Sequence, residues 1–110
     1  MTAVLIDKPR IIEQMFIVLE SEVQRGLTTL AIEKTLLDFG KPAYEKVSNM
    51  LYKNYHCYIP DCYEHPEYLN ETLKKIYGNA YRVVVESIHK QLEEFAYKKP
   101  VERFLQVISR

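Results

Sequence analysis

The stretch Gly40–Leu51, GKPAYEKVSNML, decides the fold, because Gly78–Ile88, GNAYRVVVESI, repeats its key features. Each stretch contains Ala-Tyr, then Val three residues after the Tyr, and Leu or Ile four residues further on. Tyr and Val at this spacing share one face of an α-helix, and a small Ala in the first turn lets a neighbouring helix approach closely. Gly and Pro near the start predict a tight corner before the helix. The sequence therefore predicts two helical hairpins around a common core, and convergent packing explains the repeat better than duplication.

The apolar residues of almost the whole chain recur with helical spacing. The predicted helices run over about residues 8–25, 28–39, 42–54, 66–77, 80–98 and 101–108. Asp7 and Asn79 are the predicted N-caps of two of them, Gly26 ends the first helix, and Pro100 separates the last two. Residues 55–65 contain a Pro and lack any period, which predicts a loop. We therefore expect an all-α fold, a compact bundle of five to six helices with two helical hairpins, in one domain over residues 1–110.

Composition limits the classes of function. The chain has 110 residues, 47% of them hydrophobic, and its 15 basic side chains balance 15 acidic ones. Zero net charge argues against nucleic acid as the partner and offers no polybasic stretch for anionic lipid. The N-terminal residues lack the features of a secretory signal, and no apolar run reaches the length of a membrane span. These features predict a cytoplasmic protein without membrane contact.

A cluster of metal-ligand types lies at His56, Cys57, Cys62 and His65. The Cys-x4-Cys-x2-His spacing of Cys57, Cys62 and His65 would suit zinc in part, but the paired Cys-x2-Cys of strong zinc sites is missing. A metal-sensing or redox-sensing loop is thus one hypothesis. The alternative is a helix connection in which both cysteines pack as small apolar residues and His65 caps the helix that begins at Pro66. The sequence favours this second interpretation, with no cofactor required.

Tyrosine is frequent, with nine residues in the chain. The same region holds five of them: Tyr52, Tyr55, Tyr58, Tyr63 and Tyr68. Tyrosine combines an apolar ring with a polar hydroxyl, which suits a protein-binding surface as well as the rim of a small core. The cluster predicts a partner interface, with the core rim as the alternative.

A helix-turn-helix is a further hypothesis for residues 29–55. Lys46, Asn49, Lys53 and Asn54 would lie on its second helix, where they could reach bases or phosphates. Glu45 at the start of that helix and the zero net charge argue against DNA binding. The sequence also lacks a Gly-rich phosphate loop, a G-x-S-x-G elbow and an H-E-x-x-H motif, so no enzyme is predicted.

The segment Cys57–Ile88 resembles a small all-helical family, the Nitrosopumilus output domains of archaea. In that family a D-C-x-x-H-P-x-x-L phrase precedes a helix, a Gly-Asn corner and a long helix. The phrase is matched here by Asp61, Cys62, His65, Pro66 and Leu69. The motif covers about a third of the chain. The resemblance implies a cytoplasmic signalling domain of the kind attached to receiver modules in two-component systems, with no catalytic residue to carry over. This chain is too short to hold a receiver domain as well.

Together these features predict a non-enzymatic interaction module of archaeal signal transduction or transcription regulation. Its partner would be a protein of a signalling pathway. The first helix carries more apolar residues than one core-facing stripe needs: Ile11, Ile12, Phe16, Ile17 and Val18. That excess predicts self-association, so we also expect a homodimer.

Overall fold

The computed structural model describes residues 2–93 and 99–110, and it describes side chains from residue 20 onward outside the gap. The α-helices of these residues are α1 (Thr2–Asp38), α2 (Lys41–Tyr55), α3 (Pro66–Tyr77), α4 (Tyr81–Leu92) and α5 (Lys99–Ile108). Two short 3₁₀ turns cover Ile59–Tyr63 and Gly78–Ala80. These residues contain no β-strand, which confirms the all-α prediction. No helix among them combines the length and the apolar character that a membrane span requires.

Helix α1 is continuous through Gly26, whereas the sequence predicted two helices separated there. Gly26 does not have a positive φ, so it is not the left-handed residue that ends a helix. The Thr29 hydroxyl donates to the Arg25 carbonyl at 2.8 Å, across the glycine. A helical glycine costs about 1 kcal/mol relative to alanine. That cost is smaller than the gain from burying Ile32 and Leu36 on the same helix, at about 1.5–3 kcal/mol each.

The start of α1 also differs from the prediction. The helix begins at Thr2, so Asp7 and Pro9 lie within it and not at its first turn. Joining the first two predicted helices changes the layout of the bundle, and the predicted count of five to six helices with two hairpins is not confirmed.

The two glycine corners differ in backbone conformation and in their position relative to the next helix. Gly40 has φ +120° and is the N-cap residue of α2, with Pro42 in the first turn. Gly78 has φ +56° and begins a 3₁₀ turn, which leads into α4. Asn79 lies inside that turn and does not cap α4, so this predicted cap is wrong. The repeated phrase therefore encodes similar core-facing helices after two different corners.

The C-terminal region differs from the sequence prediction at its boundaries. The long helix predicted over 80–98 is α4 up to Leu92, and residues 94–98 lie outside the described residues. Pro100 lies in the described part of α5, Lys99–Ile108, whereas the sequence predicted it to separate the last two helices.

The hydrophobic core draws on every described helix and on the segment between α2 and α3. Both copies of the repeated phrase face it, since Val47, Leu51, Val84 and Ile88 are buried. The other buried apolar residues are Ala31, Ile32, Leu36, Cys57, Ile59, Cys62, Leu69, Leu73, Tyr81, Val85, Leu92, Val101, Phe104, Leu105 and Ile108. The segment predicted as a loop is thus part of the core.

Two side-chain amides connect helices that are distant in sequence. The buried Asn70 of α3 donates from Nδ2 to the carbonyl oxygen of Ile108 at 3.0 Å, at the end of α5. Gln91 of α4 donates from Nε2 to the Thr35 hydroxyl of α1 at 2.9 Å. The first bond satisfies one of the last carbonyls of α5, which have no partner within their own helix. These bonds fix α5 on α3 and α4 on α1.

Replacing Gly26 by Ala should raise the free energy of unfolding by about 0.5–1 kcal/mol, because alanine has the higher helix propensity. In the part of the chain that the structure describes, no atom lies within 4 Å of the Cβ that alanine would add. The matched control is Gly40→Ala, which should lower that free energy by about 1 kcal/mol because of the positive φ. Urea unfolding of both variants measures the signs. Far-ultraviolet circular dichroism that showed less helix in Gly26→Ala than in wild type would contradict the continuous helix.

Candidate functional site

Residues 56–65, which we call the connection, join α2 to α3 and hold most of the residues predicted to be functional. The connection begins at His56, whose backbone is left-handed at φ +52°. The His56 N–H donates to the Tyr52 carbonyl at 2.9 Å and so closes the last turn of α2. A non-glycine residue in this conformation costs about 1 kcal/mol. The turn directs the next residue, Cys57, into the core.

The 3₁₀ turn Ile59–Tyr63 has its own cap. The Tyr58 N–H donates to Asp61 Oδ2 at 2.8 Å, and the Asp61 N–H donates to the Tyr58 carbonyl at 3.0 Å. Pro60 lies in the first turn, where its fixed φ and missing N–H are tolerated. Ile59 and Cys62 are buried. Local hydrogen bonds and burial of these side chains together give the turn one conformation.

Arg25 of α1 holds the connection from the solvent side. Its Nε donates to Glu64 Oε1 at 2.8 Å, and its Nη2 lies 3.3 Å from Asp61 Oδ1. The Tyr63 hydroxyl donates to Oε1 of the buried Gln24 at 3.3 Å, one residue before Arg25. All three charged groups are partly exposed, so each ion pair contributes at most about 1 kcal/mol. The sequence analysis did not identify Gln24 or Arg25, because these contacts join residues about 40 positions apart in the chain.

Both cysteines lie in the hydrophobic core as free thiols. Burial raises the pKa of Cys62 far above its ordinary value, with the nearby Cys57 adding to the effect. Burial also raises the pKa of the Cys57 thiol. The thiolate is the form that attacks electrophiles and binds metals, and both side chains are protonated at neutral pH. The arrangement is that of small apolar residues packed in a core.

The described contacts of the His65 side chain are with Tyr68 and Glu67, and not with either thiol. Its ring stacks on Tyr68 with centroids 4.7 Å apart, and its Nδ1 is 3.2 Å from Glu67 Oε1. His65 is the N-cap residue of α3, but its side chain makes no capping hydrogen bond. Within the described residues, no group of three or more His, Cys, Asp or Glu side chains is placed to hold a metal ion. Zinc binding by Cys57, Cys62 and His65 stays a prediction and would require the connection to rearrange.

A stack of three rings joins α2 to α3. Tyr55 and Tyr68 are nearly parallel, with centroids 4.2 Å apart, and His65 lies against Tyr68. Burial, with the Glu71 carboxylate second, raises the pKa of the Tyr55 hydroxyl. Stacked aromatic pairs add about 0.5–1.5 kcal/mol beyond their buried area. Tyr55 and Tyr68 therefore belong to the rim of the core.

The aromatic ledge, defined as Tyr52, His56 and Tyr58, lies on the surface where α2 meets the connection. Tyr52 and Tyr58 are 52% and 65% exposed, with ring centroids 5.7 Å apart. The His56 ring meets the Tyr52 ring edge-on at 5.8 Å. The five predicted interface tyrosines thus divide into these two and the partly buried Tyr55, Tyr63 and Tyr68. The i, i+4 spacing of Tyr52 and His56 is the signal that could have identified the histidine.

The residues proposed for DNA contact lie on the exposed side of α2. Lys46, Asn49, Lys53 and Asn54 are all exposed, and so is Glu45. Two lysines, two amides and one carboxylate do not make the strongly basic surface that binds phosphates. DNA binding stays a prediction.

Replacing Arg25 by Ala should lower the free energy of unfolding by about 0.5–1 kcal/mol at low salt, since Asp61 and Glu64 lose their cation. The loss should be smaller in 1 M NaCl, where the Debye length is only about 3 Å and the ion pairs are largely screened. Urea unfolding at both salt concentrations measures it. Arg82→Ala, on the exposed side of α4, is the control and should change stability by less than about 0.5 kcal/mol. Equal effects of the two substitutions would contradict the Arg25 contacts.

The buried thiol of Cys62 should make stability fall with pH above the ordinary thiol pKa of 9.0. The folded pKa is raised, so above this pH the unfolded chain releases a proton that the folded chain keeps. The slope should approach about 1.4 kcal/mol per pH unit. Urea unfolding between pH 8 and 10 measures it.

Two variants separate the contributions of the thiols. Cys62→Ala should remove most of the slope, whatever its effect on stability at pH 7. Cys57→Ala should remove less, because the pKa of Cys57 is raised less strongly. A slope that is unchanged in Cys62→Ala would show that this thiol ionises normally in the folded protein.

In comparisons with known proteins, no family model, no curated protein and no solved structure matches the chain. The contacts described above are therefore the basis for proposing a function. The resemblance of Cys57–Ile88 to the Nitrosopumilus output domains therefore rests on its own sequence phrase.

Proposed function

We propose that the chain is a non-enzymatic interaction module, an output or adaptor domain in archaeal signal transduction or transcription regulation. The resemblance of Cys57–Ile88 to archaeal output domains supports the signalling role. The observation that carries the proposal is the aromatic ledge, in which two half-exposed tyrosines and a histidine contact one another on the surface.

The aromatic ledge has the properties of a protein-binding hot spot. Tyrosine supplies a large contact area with few rotatable bonds, and it is enriched where interfaces derive most of their affinity. The ring contacts of Tyr52 with Tyr58 and His56 restrict all three side chains before any partner arrives. Less conformational entropy is then lost on binding. His56 sits at a left-handed residue that ends α2, so the backbone beneath the ledge is also fixed.

The chemistry of the remaining candidates favours contact over catalysis. A nucleophilic cysteine needs thiolate character, and burial raises the pKa of both Cys57 and Cys62. His65 is engaged with Tyr68 and Glu67, and no described interaction pairs it with a thiol. Zero net charge favours a protein partner over a nucleic acid.

The double variant Tyr52→Ser/Tyr58→Ser should bind its partner at least about 10-fold more weakly, because the aromatic anchors of the interface are lost. Immobilised protein would capture partners from a lysate of the source organism, and quantitative mass spectrometry would compare the variant with wild type. Both positions are exposed, so helicity by circular dichroism should not change. The control is Val83→Ser, which removes a side chain of similar exposure from α4.

Two outcomes would contradict the proposal. Capture that is the same for wild type and the tyrosine variant would exclude the aromatic ledge as the binding surface. A salt-sensitive shift of duplex DNA that is lost in Lys46→Ala/Lys53→Ala would instead support the DNA-binding alternative.

A further inference from the structure

Helix α1 carries a regular row of exposed apolar side chains on the side away from the core. Val23, Leu30 and Leu37 are 60%, 63% and 51% exposed, and they are spaced seven residues apart. We call the row formed by these three residues, with Gly26 and Glu33 between them, the outer seam. Single exposed apolar residues are common on any protein, but three at heptad spacing on one helix are a pattern.

The opposite face of the same helix makes the contacts within the chain. From residue 20 onward its buried residues are Gln24, Thr28, Ala31, Ile32, Thr35 and Leu36. A helix with one buried face needs only that stripe to be apolar. The outer seam is therefore a second apolar stripe, which folding of the described residues leaves open to solvent.

The spacing of the outer seam is that of a coiled coil. Alternating steps of three and four residues lead from Val23 through Gly26, Leu30 and Glu33 to Leu37. The same steps continue upstream in the sequence to Leu19, Phe16 and Ile12, all within α1. A mean repeat of 3.5 residues keeps a stripe facing a partner helix that supercoils to the left. From Ile12 to Leu37 this pattern spans almost four heptads, or about 39 Å of helix.

Gly26 is a second, independent observation at the centre of the outer seam. Its backbone is helical, without a positive φ, and a Cβ there would meet no atom of the described residues within 4 Å. Neither the turn nor the packing among these residues requires a glycine, and glycine weakens a helix. A glycine at a seam position does have a use when a larger side chain of another helix packs against it.

We propose that a second copy of this chain covers the outer seam, with the two α1 helices antiparallel in a coiled coil. The seam is complementary to itself in this direction. An antiparallel alignment can place Val23 of one copy opposite Gly26 of the other, a large residue against a small one.

The parallel arrangement fits less well. Each seam position of a parallel pair in register faces itself. Glu33 would then oppose Glu33 in the middle of the seam, and Gly26 would oppose Gly26 and leave a gap. Reversing one helix separates the two Glu33 side chains and places Val23, instead of a second glycine, opposite Gly26. The proposal concerns a surface separate from the aromatic ledge and does not rest on the proposed function.

The first test is the mass of the protein in solution. Sedimentation equilibrium should give twice the chain mass of 13.0 kDa for wild type at micromolar concentration. Leu30→Glu should weaken the dimer on the order of 100-fold or more, because two buried leucines are lost and two charges gained per dimer. Circular dichroism would establish that the variant is still folded. Val83→Glu, an exposed apolar residue of α4, should remain dimeric. A monomeric wild type at 100 µM, or an undiminished dimer in folded Leu30→Glu, would overturn the proposal.

The second test fixes the direction of the helices. The native cysteines are buried, so cysteines introduced into the seam can be oxidised selectively. In the antiparallel dimer Leu30→Cys alone should form little disulfide, and a mixture of Val23→Cys with Gly26→Cys should form the mixed disulfide. Efficient self-linking of Leu30→Cys would mean a parallel dimer and would contradict the proposed alignment. Tyr52→Ser/Tyr58→Ser should leave dimerisation unchanged, so the dimer and the partner surface can fail separately.

Discussion

The packing of the connection against α1 is the contact on which the rest of the structure depends. Ile59 and Cys62 are buried in the core, while the half-buried Arg25 and the buried Gln24 bind the polar side chains of the same segment. This contact sets the direction in which α3 leaves the connection, and with it the three-ring stack and the position of α5 on α3. It also raises the pKa of the buried thiols and leaves Tyr52 and Tyr58 on the surface. Structure and surface chemistry thus follow from one short turn.

Helical periodicity predicted α2 and α3 to within one residue at each end, because Gly40, Pro42 and Pro66 are strong local signals. The same kind of signal failed at Gly26. A glycine between two stretches of helical periodicity ends a helix only where the chain turns. At Gly26 the chain continues straight, because residues before and after the glycine pack on the same core. The capped 3₁₀ turn at Ile59–Tyr63 was missed for a related reason, since its stability comes largely from the side chains that it buries.

The sequence predicts which segment holds the candidate site, but it does not predict which of the side chains there are exposed and which contact one another. Composition located the tyrosines and cysteines, and it could not assign each to surface or core, because exposure is decided by helices distant in sequence. Tyr55 and Tyr58 are three residues apart, yet one stacks on Tyr68 and the other faces solvent. The sequence shows an apolar excess on α1 at Ile11 to Val18. The exposed apolar row of the folded chain lies further along, from Val23 to Leu37, and it is recognisable only when the buried face of α1 is known.

The hydrogen bond from Asn70 to the carbonyl of Ile108 has an evolutionary consequence. Its acceptor is main chain, so any apolar residue that fills the same space could replace Ile108 and keep the bond. Its donor is a particular amide, and few other side chains could reach that oxygen from α3. Among descendants of this gene, position 108 should therefore drift among aliphatic residues, whereas position 70 should be held to asparagine by purifying selection.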